Sequence, residues 1–340
     1  KIELMSYRNL VIIDNKKVSK KNNNFYCDNF EAKISEDLGK NFNLTFIARK
    51  SKIDRARQIN LKNIKTSPNL FLFLLNIFKT FKNRDTNYLL ISVSPYTFFS
   101  FLLLFFFRKK IFVYLRSNGH EEYKAILGFL GPAIYHLMFS ILSSISNLIS
   151  CRDYILKGRK GDVVFPSQLD SEWFNNIKEN NTESTKLLYV GRIKVEKGFY
   201  SLLKIFKEIK YNIKFSVVGK SESLEKKENK INFLGFKNNV AELIKVYDDH
   251  NITILPSFTE AHPKVVDESL ARMRPVIIFE DIEHIKKNKQ GIFVAKRNSK
   301  SLLETIYFIT NNYKNIQKEM KKNQLPTKSQ FILDLSKILS

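Results

Sequence analysis

Short apolar runs recur along the chain, separated by longer stretches whose apolar positions fall at helical spacing. Leu10–Ile13, Leu44–Ala48, Tyr88–Ser92 and Ile111–Leu115 are rich in β-branched, aromatic and other apolar residues, the pattern of strands buried on both faces. Between them, Phe30–Gly39, Leu70–Phe81 and Tyr96–Phe107 have helical length and period. A strand near Asn147–Ser150 ends this first series. Such alternation implies parallel strands joined by crossover helices.

The stretch from Gly161 to Thr185 breaks the rhythm with turn residues and a polar Asn-, Glu- and Lys-rich segment, and is the candidate domain boundary. Strands then resume at Lys186–Val190, Ile213–Val218, Ile231–Leu234, Ile252–Leu255 and Val276–Phe279. Helices are expected at Phe199–Ile209, Val240–Tyr247 and Lys264–Met273. The pattern predicts an α/β chain of two Rossmann-like, doubly wound domains, 1–165 and 166–326, facing each other across a cleft. A terminal helix, Lys328–Leu339 within 327–340, either returns to the first domain or ends the second. Ligands of such open sheets bind beyond the carboxyl ends of the strands. No internal repeat is evident, which argues against a solenoid.

Composition narrows the partners only partly. The 340 residues hold 57 Lys and Arg against 33 acids, a net charge of +24. That balance suits nucleic acid, anionic lipid or phosphorylated substrates. Yet the chain is rich in Lys, Asn, Ile and Phe together, as an AT-rich genome favours, so charge alone names no partner. Without zinc spacing, an RNA-binding signature or a helix-turn-helix pattern, nucleic acid is not expected. Cys27 and Cys151 lie far apart with no metal-type spacing, which fits a reducing, cytoplasmic setting. Leu70–Phe81 and Thr97–Phe107 are too short to span a bilayer, and Gly128, Gly131 and Pro132 interrupt Ala125–Ser150. Buried α/β helices are the simpler reading. Phe101–Phe107 running into Arg108-Lys109-Lys110 nevertheless has the make-up of an interfacial anchor, leaving open a peripheral contact with an anionic membrane surface.

Chemistry concentrates at two predicted strand ends. In Tyr189–Phe199, a strand closes at Gly191, where backbone can approach a ligand, and Arg192 and Lys197 bracket a loop before a helix near Gly198. Two cations beside a helix N-terminus make a diphosphate site, although such cations also serve as plain solvated surface. In Leu255–Glu268, Glu260 falls in the loop and Glu268 on the following helix. Pro263 suits the first turn of that helix and leaves the Lys264 and Val265 N–H groups for an anion. Glu268 either reaches a ribose diol or closes an i, i+4 salt bridge with Lys264.

Tyr189-Val-Gly-Arg192, Lys197-Gly198, Phe233-Leu-Gly-Phe236, Leu255-Pro-Ser257, the Glu260/Glu268 pair and Arg274-Pro-Val-Ile277 occur in that order. This ordered set resembles the donor-binding domain of the retaining GT-B glycosyltransferases of glycosyltransferase family 4, over about residues 161–310. The resemblance implies a hexosyltransferase-type enzyme that takes a nucleotide-sugar donor to a glycan or glycolipid acceptor in cell-surface polysaccharide or glycolipid synthesis. It would work in the cytoplasm or at the inner face of the membrane. The resemblance further implies that Arg192 and Lys197 hold the diphosphate and stabilise its departure. Glu260 would lie beside the donor sugar and Glu268 on the ribose. Gly191, Ala261, His262, Lys264 and Val265 would follow sugar and phosphate, while Gly219 and Phe236 would border the base. In the first domain His120, just after Arg116-Ser-Asn-Gly119, would approach the donor sugar, with an exposed loop histidine as the plain alternative. No metal and no resident cofactor is expected, the nucleotide sugar being a substrate.

Two departures from the family pattern stand out. The usual Gly-Gly loop after the first strand is replaced by a long Lys- and Asn-rich stretch, Asp14–Asn29. Ala261-His262-Pro263 stands where Gly-x-Gly or Gly-x-Pro is common, and alanine takes positive φ less cheaply than glycine. A contact between His262 and the sugar is expected there. Nucleotide-sugar epimerisation or hydrolysis on the same fold, and a basic membrane- or nucleic-acid-binding protein, are the alternatives.

Overall fold

The computed structural model describes residues 8–28, 32–55, 57–83, 85–179, 184–209, 211, 213–219, 231–237 and 239–340. Two compact units form, one running to Pro166 and taking in Ser329–Ser340, the other Ser167–Lys328.

The first unit has strands β1 (Asn9–Lys21), β2 (Asn24–Cys27), β3 (Asn43–Lys50), β4 (Arg57–Gln58), β5 (Asn63–Ser67), β6 (Thr86–Ile91), β7 (Lys110–Leu115), β8 (Asn147–Ser150) and β9 (Gly161–Val163). Seven of them run parallel in the order β5-β3-β1-β6-β7-β8-β9. The first strand does not stop at Ile13. After a register shift, Lys17 and Val18 pair with Arg49 and Lys50, and the strand then folds back antiparallel onto β2. Asn22 and Asn23 make that turn at φ +47 and +62, which asparagine tolerates better than most residues. The stretch expected as a loop, Asp14–Asn29, is therefore mostly strand among its described residues. Val18 and Cys27 anchor it in the core, an apolar signal too sparse among Lys and Asn to read as a strand.

Alternation places Leu10 and Ile12 on one face of this sheet and Val11 and Ile13 on the other. On the first face lie α1 (Lys33–Leu38) and the terminal helix Lys328–Leu339, whose Phe331, Leu335 and Leu339 join Phe46 and Tyr114 in one core. The terminal helix thus packs on the first unit. On the second face lie α2 (Leu70–Phe78), packed on β3 and β5, and α3 (Pro95–Phe106), packed on β1, β6 and β7. Asn69 caps α2, and a reciprocal Ser94/Thr97 capping box starts α3. The long apolar stretch Ala125–Ser150 divides at Gly128, φ +65, between α4 (Gly119–Leu127) and α5 (Gly131–Ser143).

The second unit is a wholly parallel sheet in the order β12-β11-β10-β13-β14-β15. Its strands are β10 (Lys186–Val190), β11 (Lys214–Val218), β12 (Ile231–Phe233), β13 (Ile252–Leu255), β14 (Val276–Phe279) and β15 (Ile292–Ala295). This is the Rossmann order, and its direction reverses between β10 and β13. Helix α6 (Phe199–Glu208) follows β10, and helices Val240–Asp248 and Lys264–Ala271 flank β13. Helices Ser299–Asn311 and Tyr313–Met320 complete the unit. A buried ion network locks the helix pair that flanks β13. Arg272 grips Asp248 with two hydrogen bonds (Nε to Oδ1, 2.9 Å; Nη2 to Oδ2, 2.7 Å) and donates to the carbonyls of Trp173, Asn175 and Asn176. Arg274, also fully buried, donates to the carbonyls of Tyr247, Asp248 and Lys178. The arginine of the Arg-Pro-Val-Ile stretch is thus a buried brace.

Candidate active site

Where strand order reverses, the loops leaving the two neighbouring strands frame the ligand-binding crevice of an open parallel sheet. In the second unit these are the loops after β10 (residues 191–198) and β13 (residues 256–263). They hold Arg192, Lys197, Glu260, Ala261 and His262, so residues distant in sequence meet at the switch point.

Glycine permits the approach. Gly198 has φ +66, and a Cβ there would fall 1.7 Å from the Pro256 carbonyl oxygen. The Phe258 N–H donates to the Glu196 carbonyl at 3.2 Å, tying the loops together. Across this seam Lys197 Nζ donates to Glu260 Oε1 at 2.5 Å, and Ser257 Oγ donates to the same oxygen at 2.8 Å. The side chains of Lys197 and Glu260 are 22% and 12% exposed, dry enough for the pair to matter and open enough to meet a ligand. Arg192 stands exposed on the same loop, its carbonyl held by the Tyr189 hydroxyl at 2.7 Å.

Neighbouring strand ends carry the other glycines. The Gly191 N–H donates to the Val218 carbonyl at 3.0 Å, and the Gly219 N–H to the Gly235 carbonyl at 3.1 Å. A Cβ on Gly219 would lie 2.5 Å from the Gly191 carbonyl oxygen, so β10 and β11 end in direct backbone contact. Phe236, partly exposed, follows Gly235 at φ +68.

The helix after β13 begins at Lys264, as its sequence suggests. Pro263 is the cap residue, with an extended ψ of 109°, and its carbonyl accepts the Val266 N–H at 3.1 Å. Lys264 and Val265 therefore open the first turn. His262 does not stand out toward a ligand. Its side chain is 5% exposed, with Nε2 3.2 Å from Asp267 Oδ2, so the imidazole is held by the helix it precedes. Asp267 is also paired with Lys289. Burial alone would raise the Asp267 carboxyl, but His262 and Lys289 outweigh it and hold the group below the usual range.

Glu268 is buried within the helix and accepts a hydrogen bond from the Tyr247 hydroxyl at 2.9 Å. Burial pushes its carboxyl above the ordinary value, with Tyr247 and the Lys264 charge countering in part. Further braces went unread in the sequence. Arg297 lies over Phe258 and Phe279, donates to the Pro256 carbonyl at 3.0 Å and pairs with Asp281. His284 Nε2 is 3.0 Å from the Glu260 carbonyl oxygen. Neither Arg297 nor His284 belongs to a motif, so only the folded chain reveals them.

In the first unit His120 opens α4. Its Nε2 is 3.3 Å from His136 Nδ1, and its ring lies 4.7 Å from that of Tyr135. Desolvation, then the charges of Lys157 and His136, lower its pKa, favouring the neutral imidazole.

Comparison with known proteins agrees with this architecture. Residues 184–312 match the family model "Glycosyl transferases group 1". Over 138 residues the chain is 29% identical to the capsular polysaccharide biosynthesis glycosyltransferase CapM of Staphylococcus aureus, an alignment that spans 36% of each protein. Solved structures match nearly end to end. The sucrose-phosphate synthase of Thermosynechococcus elongatus has a TM-score of 0.67 at 14% identity, over 97% of this chain and 98% of that one. Anabaena HepE in complex with UDP and glucose gives 0.68 at 11%, over 98% and 99%. The UDP-forming trehalose-phosphate synthase of Burkholderia xenovorans gives 0.66 at 8%, over 97% and 99%. At such identities these structures establish the fold. The chain has the GT-B fold, and most of its second unit, residues 184–312, is similar to the Glycosyl transferases group 1 model.

Proposed function

We propose that the protein is a retaining glycosyltransferase that moves a hexose-type sugar from a nucleoside diphosphate to a glycan or lipid-linked acceptor, without a bound metal. The observation that carries this reading is the Lys197–Glu260 contact at the β10/β13 switch point, with the first-turn N–H groups of Lys264 and Val265 on the helix that follows the second loop. Arg192, Lys197 and those N–H groups gather the diphosphate, whose charge grows as the bond from anomeric carbon to phosphate oxygen breaks. The acceptor oxygen bonds to that carbon on the face the phosphate leaves, and the departing phosphate takes the acceptor proton. Glu260 orients the sugar, Glu268 the ribose, and Gly191, Gly219 and Phe236 flank the nucleotide; His120 serves the donor sugar from the first unit. The ligands of one structural relative, UDP and UDP-glucose on HepE, support UDP sugars as the first donors to try. The partial likeness to CapM supports a place in polysaccharide synthesis.

The test incubates purified protein with UDP-, GDP- and ADP-sugars, with and without glycan and lipid-linked acceptors, and follows diphosphate release and product anomer by NMR. Acceptor-dependent release with the donor's anomeric configuration is expected. Rapid donor conversion without acceptor, or an inverted product, would contradict it.

A further inference from the structure

The helix layer of the first unit that lies opposite its terminal helix is apolar inward and outward alike. Phe73 and Ile77 of α2, Phe101 and Leu104 of α3, and Leu142 of α5 are buried against the sheet side. On the open side Phe71 is 75% exposed, Phe106 77%, Ile126 74% and Phe129 86%. Helices apolar all round are ordinarily enclosed by protein or lipid, and apolar surface this concentrated marks an interaction site. The patch is continuous. Helices α2 and α3 touch, as do α3 and α5, and Phe107 packs edge-on against Phe78 and tilted against Phe81, at 5.4 and 5.0 Å. At the far end, the turn at Gly128 presents Ile126, Leu127, Phe129 and Leu130 together.

Its charge is one-sided. From Arg55 to Arg152 the only acids are Asp85, Glu121 and Glu122. Arg108, Lys109 and Lys110 follow directly on the exposed phenylalanines of α3, and Lys109 Nζ rests 4.8 Å over the Phe81 ring. Lys79 and Lys124 are exposed at the ends of α2 and α4. A second copy would set this cationic rim against an identical one, whereas acidic headgroups complement it. Among the described residues no helix is long and apolar enough to cross a membrane, so the face suits seating in the interface.

We infer that the α2–α3–α5 face, with the α4–α5 tip, is a docking surface for an anionic lipid bilayer. Phenylalanine and leucine side chains enter the interface while Arg108, Lys109 and Lys79 meet the headgroups. The inference is independent of sugar transfer. It is tested by flotation of the full chain with vesicles of phosphatidylcholine alone or mixed with phosphatidylglycerol, at low and high salt. The expected result is binding to phosphatidylglycerol vesicles that weakens with salt. Phe106→Ser/Phe129→Ser should cut binding at least tenfold, and Arg108→Glu/Lys109→Glu by roughly fivefold or more per residue. Circular dichroism and melting temperature should stay unchanged in both. Failure of the wild type to bind at low salt, or equal binding by both variants, overturns the inference. So does a stable dimer by ultracentrifugation that Phe106→Ser/Phe129→Ser dissolves, which would assign the face to a second copy.

Discussion

Lys197 Nζ and Glu260 Oε1 stand 2.5 Å apart, joining the loops that leave two neighbouring parallel strands. The ammonium that would meet a leaving diphosphate is therefore already placed by the carboxylate that would meet the sugar. Replacing Lys197 by Ala should lower kcat roughly 10²- to 10³-fold, the usual loss when one preorganised group for developing charge is removed. Stability should fall by about 1–3 kcal/mol, since the change removes one partner of a mostly buried carboxylate. Steady-state kinetics alongside a melting curve separates the two effects.

Gly198 is the second point of leverage. Alanine there takes on a left-handed φ and overlaps the Pro256 carbonyl. Gly198→Ala should cost about 2 kcal/mol or more, a melting shift of roughly 4 °C or more for a unit of this size, and should depress turnover as the loops part. An unchanged melting temperature would refute the close approach.

Asp248 supports the helix that carries Glu268. Asp248→Ala leaves the buried Arg272 without its carboxylate, and should destabilise the second unit by about 3–5 kcal/mol. Asp248→Asn keeps part of the hydrogen bonding and should fall well short of that loss. Urea midpoints of the two variants measure the difference.

Acid sensitivity should trace in part to His250. Burial, aided by the Lys186 and Arg274 charges, pushes its imidazole below the ordinary value of 6.5, against the opposing pull of the Val246 carbonyl and Asp249. Between the depressed value and 6.5 the unfolded chain holds more protons than the folded one. This contribution is thus complete above 6.5 and is lost as pH falls through that window. His250→Asn should flatten stability there in a urea series across pH. Asp267, held low, adds stability that disappears only at lower pH, as its own carboxyl protonates.

Much of the architecture was legible because the central strands are buried on both faces. Ile252–Leu255 and Val276–Phe279 carry no polar residue but Thr253, and they form strands over those same bounds. Strand β5, Asn-Ile-Lys-Thr-Ser, sits at a sheet edge and needs no apolar run. Strand β15 is apolar but so short that periodicity cannot separate it from a helical turn. Leu302, Ile306 and Ile309 fall at helical spacing and are the buried positions of the helix Ser299–Asn311. The placement of Arg192, Lys197 and Glu260 at neighbouring strand ends was legible because each follows a clear apolar strand. Tyr247 and Arg297 were not, since their contacts with Glu268 and Pro256 come from packing alone. The inward turn of His262 was hidden for the same reason: its partner Asp267 is one helical turn away and reads as surface.

The central claim, that the loops after β10 and β13 form a nucleoside-diphosphate site, is most directly tested by calorimetric titration of UDP, GDP and ADP into the wild type and Arg192→Ala/Lys197→Ala. At least one nucleotide should bind the wild type and bind the double variant at least tenfold more weakly. Failure of all three to bind, or equal affinity for both proteins, would contradict the account.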